Sequence, residues 1–388
     1  MSAVPSLPSG TRLLHIGPHK TGSSAIQGAL HAARERLAAS GVVYPGRGRQ
    51  TLWPILAVTG QPPLRGEPAP DIAWWDRLAT DIRTAGARKV VLSSEFFAEA
   101  DDATAARVVA DLGPGVHVVV TLRSLGRILP SQWQQYIQNG YRFRYEQWLD
   151  GILSDPPCTP TPGFWRRHRH DELVARWAEV VGAPNVTVVV LDESNRLMLL
   201  RTFEAMLGLP DGFLVPAPGA TNRSLTRSEA ELVLQLNEEF SGRGWPDPSY
   251  ARFMRYGVIE QLKTARQPAA GEPAIVTPAW AAARAAEISA DMAGTIKRLG
   301  VRIVGELEAL ADPPVTAAAS GPGTEAADAG SPPDIAVAAA VQAVMGACAA
   351  GGAGGMPIED LVRGVPASRL AKVLVNRGKR RLARALAH

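Results

Sequence analysis

The sequence predicts an α/β protein: a three-layer domain whose mostly parallel central sheet is flanked by helices, with helical C-terminal additions. Three observations carry that expectation. Short apolar runs rich in branched residues recur along the chain, among them LLHI at 13–16, KVVLS at 89–93, VHVVVTL at 116–122 and VTVVVLD at 186–192. They lack the polar alternation of a half-exposed strand, so they read as strands buried on both faces. Between them lie segments with apolar residues at helical spacing, and strands alternating with helices argue for a parallel sheet. Finally, 388 residues with 46% hydrophobic content can bury a large core. That favours one large domain with additions over two equal domains.

Taken in order, residues 1–10 read as a disordered lead. The first strand follows, then a turn. A helix comes next, with apolar positions Ala25, Ile26, Ala29, Leu30 and Ala33, stopping near Ser40-Gly41. Residues 42–75, rich in Gly, Pro and Trp, predict a long irregular loop with a short helix over 52–58. A helix over 74–85 leads to the strand at 89–93, which ends in Ser93, Ser94 and Glu95. A helix over 101–112 precedes the strand ending at Arg123, and a helix over 125–139 follows it. Residues 141–170 are aromatic and basic. A helix over 171–181, the strand at 186–192 and a helix over 197–207 lead to a loop holding Asn222-Arg223-Ser224. Residues 226–311 read as largely helical, closing on an edge strand within 300–305. The domain therefore spans 11–311. Residues 312–357, dominated by Ala, Gly, Pro and Ser, predict a flexible linker, and 358–388 a basic amphipathic tail.

A net charge of +4 is too small to call for a nucleic-acid partner. Cys158 and Cys348 are far apart and have no metal-type spacing. No leader pattern opens the chain, and no apolar run approaches the roughly 18 residues of a membrane span. These features predict a cytoplasmic protein. Within 366–388, Arg369, Lys372, Arg377, Lys379, Arg380, Arg381 and Arg384 occur without an acid beside a partly apolar face. That pattern suits a solvated tail or a helix docked on its own domain before it suits peripheral contact with the inner membrane face.

The chain is organised around 12–27, RLLHIGPHKTGSSAIQ. Strand, Gly/Lys/Ser turn, helix is the geometry in which backbone N–H groups and a helix N-terminus grip a phosphate. Lys20 adds a mobile cation, and Thr21, Ser23 and Ser24 add hydroxyls. The ATP-type loop, G-x-x-x-x-G-K-[ST], carries its lysine after the second glycine. Here Lys20 precedes Gly22, so that pattern fails. The same residues suit a plain Gly/Ser turn with a surface lysine, and a second motif is needed. Arg123 supplies it: a planar fork of donors suited to phosphate closes a strand, and Ser131 follows eight residues on.

Lys20-Thr21-Gly22-Ser23-Ser24 running into a helix resembles the 5′-phosphosulfate loop of sulfotransferases. Arg123 with Ser131 resembles their 3′-phosphate pair. On these motifs, residues 11–310 look like a bacterial member of the sulfotransferase family, whose fold is of the P-loop nucleotide-hydrolase type. The resemblance implies 3′-phosphoadenosine 5′-phosphosulfate (PAPS) as donor and adenosine 3′,5′-bisphosphate as product. It implies that His19, Lys20, Thr21, Gly22, Ser23 and Ser24 hold the 5′ end and that Arg123 and Ser131 hold the 3′-phosphate. Asn222 and Arg223 are candidates for the basic loop with which the family often completes that site. Lys20 would stabilise the leaving phosphate without a metal.

Glu95, at a strand end where the crevice of an open α/β sheet lies, is the candidate general base. A capping or arginine-pairing role suits it as well. Some family members use a histidine instead, which brings in His19, His168 and His170. The acceptor, a hydroxyl or amine of a carbohydrate, glycolipid or small metabolite, is expected against 42–75 and 140–170. In the second stretch Tyr141, Arg142, Arg144, Trp148, Trp165, Arg166 and Arg167 mix aromatic faces with cations. The rival readings are an ATP-dependent small-molecule kinase and a non-catalytic nucleotide-binding scaffold. The kinase is disfavoured by the Lys/Gly order and by the lack of a clear magnesium-holding aspartate after a buried strand.

Overall fold

The computed structural model describes residues 4–311, apart from 64–66, 87, 159–160, 162, 218–222 and 245–246, together with 340 and 343. The expected linker (340 and 343 aside), the basic tail and Asn222 lie outside the described residues. Among the described residues, six strands form one sheet: β1 (Arg12–His15), β2 (Val42–Val43), β3 (Lys89–Ser93), β4 (Val116–Leu122), β5 (Val186–Val190) and β6 (Arg302–Val304). Their order is β2-β3-β1-β4-β5-β6, and every pairing is parallel. Helices cover both faces, as the fold class predicts.

Burial on both faces explains the apolar runs. Neighbouring residues of a strand point to opposite sides of the sheet. Leu13 and Leu14 of β1 are 1% and 0% exposed and enter different cores. Leu13 meets Ile26 and Leu30 of the helix Ser23–Ala32 and Phe203 of the helix Met198–Leu207. Leu14 shares its core with Trp75, Val108, Trp177 and Ile296, from four helices of the other layer. Each such side chain contributes about 1.5–3 kcal/mol on leaving water. A third core lies wholly among helices, where Leu125 and Trp133 of the helix Leu125–Gln138 pack with Trp148, Val233, Met254, Leu262 and Met292. It fastens the C-terminal helical additions to the helix that follows β4.

Two expectations are corrected. The loop predicted over 42–75 contributes β2, a two-residue edge strand paired with β3, too short for any periodicity to announce. The lead is not a loose tail throughout: Leu7 is buried, and its N–H donates to the Met206 carbonyl at 2.8 Å. Most other elements, including the edge strand β6, follow the sequence; the helices Tyr145–Leu153 and Gly163–His168 were not predicted, and the first helix is split into Ser23–Ala32 and Arg34–Ala39. The 226–311 region contains a nine-residue π-helix, Ala251–Ile259. Among the described residues, no helix is long and apolar enough to cross a membrane.

The strand order places the loop after β1 where the sheet reverses direction. The chain leaves β1 to build β3 and β2 on one side, then returns to build β4, β5 and β6 on the other. In such sheets the ligand crevice opens beyond the carboxyl ends of the strands at this point.

Candidate active site

Residues 16–22 join β1 to the helix Ser23–Ala32, and their path is enforced by what lies beneath. A Cβ on Gly17 would come within 2.4 Å of Thr121 Oγ1 and 2.6 Å of His15 Nε2, so the backbone rests directly on the ends of β4 and β1. Gly22 has φ 89°, and Lys20 has φ 71°, the one non-glycine residue with positive φ among those described. The left-handed conformation is costly for a residue with a Cβ, and here it is accepted at Lys20. Past Gly22, the N–H groups of Ser23 and Ser24 open a helix and have no intrahelical acceptors.

The floor of the loop is a chain of hydrogen bonds whose proton order can be worked out. Thr21 donates its hydroxyl to the Pro18 carbonyl at 2.7 Å, because a carbonyl only accepts. In the 2.8 Å contact between Thr21 and Thr121, Thr121 is therefore the donor. That leaves His15 Nε2–H to donate to Thr121 Oγ1 at 3.2 Å, and His15 Nδ1 to accept from Ser93 Oγ at 2.8 Å. His15 must be neutral for this order, and burial pushes its pKa down to about 3. The chain ties β1, β3, β4 and the loop together. It also engages the Thr21 hydroxyl, so a ligand would meet that residue through its backbone.

Burial, then the positive charge of Lys263, push Lys20 down to about 8. Glu95 opposes the shift and Arg123 adds to it. Glu95 opens the 3₁₀ turn Glu95–Glu99 after β3. Its Oε2 accepts from Gln27 Nε2 at 3.0 Å, and Gln27 also donates to the Ser93 carbonyl. The carboxylate is thus aimed by the helix that starts at the loop. Arg123 donates from Nε to Glu193 at 2.6 Å and reaches the Lys20 carbonyl at 3.5 Å. It borders a cleft of about 510 Å³ beyond β5, lined also by Arg127, Asp192, Glu193, Asn195 and Glu306. Ser131 is half-buried two turns along the helix Leu125–Gln138.

The remaining candidates fall elsewhere. Arg223 gives its guanidinium to Glu229 in two 2.7 Å bonds, to the Leu262 carbonyl and to the Arg266 carbonyl, a role in packing the C-terminal helices. His19 is buried edge-on to Phe96, with Nε2 unpartnered. Burial, then Arg167 and Lys20, hold it well below the usual range. His168 and His170 are buried, and His168 packs 4.7 Å from Phe164. Arg167 is bound by Glu99 and the Tyr136 hydroxyl. Arg144 pairs with Glu231, and Trp148 is fully buried in the helical core. The aromatic and basic stretch is therefore used largely for packing. Lys263, in the helix Glu260–Thr264, was not singled out from the sequence; its positive charge contributes to lowering the Lys20 pKa.

No family model matches the chain, and no curated protein does. Among solved structures, a sulfotransferase from Alicyclobacillus acidocaldarius matches at 15% identity and a TM-score of 0.40. The match covers 63% of this chain and 95% of that one. So distant a likeness assigns no residue a role.

Proposed function

We propose that the protein is a sulfotransferase that moves a sulfuryl group from PAPS to a hydroxyl or amine of a carbohydrate, glycolipid or small metabolite. One observation carries the reading. The strained, lysine-bearing loop after β1 sits at the reversal of strand order, with Arg123 from the end of β4 touching its backbone. This supports two neighbouring anion sites, which a donor with phosphate at both ends of its ribose requires. The cleft beside Arg123 is of a size that suits a nucleoside.

Glu95 takes the proton of the acceptor hydroxyl as the acceptor oxygen bonds to sulfur. Lys20 meets the negative charge that the breaking S–O bond leaves on the 5′-phosphate oxygen. The N–H groups at Gly22, Ser23 and Ser24 hold that phosphate, and Arg123 with Ser131 holds the 3′-phosphate. Preorganisation by the hydrogen-bonded floor keeps these donors in place through the transfer.

Release of adenosine 3′,5′-bisphosphate from PAPS, measured across a panel of sugar, glycolipid and small hydroxylated acceptors, tests the reading. Lys20→Ala should lower turnover by about 10²–10³-fold, and Glu95→Gln should lower turnover with little change in donor binding. Wild-type turnover retained by Lys20→Ala would remove the catalytic role of the loop.

A further inference from the structure

We propose that Glu193 is an exchangeable stand-in for the donor's 3′-phosphate: it holds Arg123 until that phosphate displaces it, and so makes binding depend on the phosphate. The inference rests on the sulfotransferase reading above and adds a specificity-determining residue that no motif contains. The sheet brings the two side chains together. β4 and β5 run parallel and end in register, with Leu122 beside Val190, and the Leu191 N–H donates to the Leu122 carbonyl at 2.9 Å. The residues just past the two strand ends, Arg123 and 191–195, therefore border one cleft.

The two neighbouring carboxylates of that loop are used differently. Asp192 is turned back on its own loop, where its Oδ1 accepts from the Ser194 N–H at 2.8 Å and from the Ser194 hydroxyl at 2.6 Å. Glu193 instead reaches Arg123 and accepts from its Nε at 2.6 Å. Nη1 of the same guanidinium reaches the Lys20 carbonyl at 3.5 Å. A carboxylate at Nε and a carbonyl at Nη1 leave neither fork of the arginine open for a two-point contact with a phosphate.

Glu193 is placed to yield. Its side chain is 47% exposed, against 25% for Arg123, so the carboxylate can turn into water while the guanidinium stays at the strand end. An ion pair open to water on one side is weak. A terminal phosphate carries up to about two negative charges to the carboxylate's one, so it takes the arginine in exchange. Arg127 lines the same cleft four residues on and adds attraction for the incoming anion. A ligand without a 3′-phosphate has nothing to exchange and leaves the pair closed.

Calorimetric titration of the full chain with adenosine 3′,5′-bisphosphate and with AMP tests this. Glu193→Gln keeps the size of the side chain and removes its charge. It should tighten bisphosphate binding about three- to fivefold, because Arg123 no longer has to be released first, and change AMP binding little. Glu306→Gln removes a negative charge from the same cleft at a residue that makes no ion pair with Arg123, and it should tighten bisphosphate binding less. Bisphosphate affinity that is unchanged or weakened in Glu193→Gln overturns the inference alone; weakening would mean that Glu193 fixes Arg123 in its binding geometry. Equal tightening for AMP, or from Glu306→Gln, would reduce the effect to charge in the cleft and overturns it as well. If neither the wild type nor Glu193→Gln prefers the bisphosphate to AMP, the sulfotransferase reading falls and this inference with it.

Discussion

Lys20 holds a backbone conformation that glycine would adopt at less cost, and glycines flank it at 17 and 22. On the proposed function, the ammonium that meets the donor's phosphate is what a lysine supplies there. Gly17 is the complementary case: the position tolerates no side chain, since Thr121 and His15 fill the space. Gly17→Ala should destabilise the protein by about 1–3 kcal/mol and break the His15–Thr121–Thr21 relay. A urea midpoint equal to that of the wild type would show that the loop can lift off its floor. Strand ends and Gly/Lys/Ser order were enough to locate Lys20, Gly22 and Ser23 in the turn after β1 and Glu95 just after β3, because backbone geometry depends on local residues. Arg223 could not be judged that way, because its partners Glu229, Leu262 and Arg266 are brought to it only by folding.

At the scale of elements, buried strands were legible wherever branched apolar residues crowded a short stretch, as in β1, β3, β4 and β5. β2 has two residues and was not. The helix Asp102–Leu112 is capped by Asp101, whose side chain accepts from the Thr104 N–H at 2.8 Å. The helix Glu260–Thr264 is different: it is short, and its position depends on the arginine–carboxylate lock rather than on its own propensity. Arg223→Ala leaves Glu229 buried with one arginine partner, Arg266. We expect a loss of about 3 kcal/mol in denaturant unfolding. Unchanged stability would mean that the lock does not hold this layer in place.

Across the whole molecule, five of the seven histidines are buried and kept neutral: His15, His19, His117, His168 and His170. Burial is the leading cause for each; it holds His15 at about 3, His117 and His170 at about 4, and His19 and His168 well below their usual value. Unfolded, each would titrate near 6.5, so below that pH the unfolded chain binds more protons than the folded one. Stability from these groups is fully present above about pH 6.5 and is lost as pH falls toward 4. Between pH 7.5 and 5.5 the unfolding free energy should drop by about 1 kcal/mol for each histidine held neutral. A flat profile would contradict this.

The sheet as a whole makes the central claim testable, because Lys20 at the end of β1 and Arg123 at the end of β4 must act on one donor. The most direct measurement is calorimetric titration with adenosine 3′,5′-bisphosphate beside AMP and ATP–magnesium, in the wild type and in Arg123→Ala. The account predicts tight binding that requires the 3′-phosphate and falls sharply in Arg123→Ala. Equal affinity for AMP and the bisphosphate would contradict it.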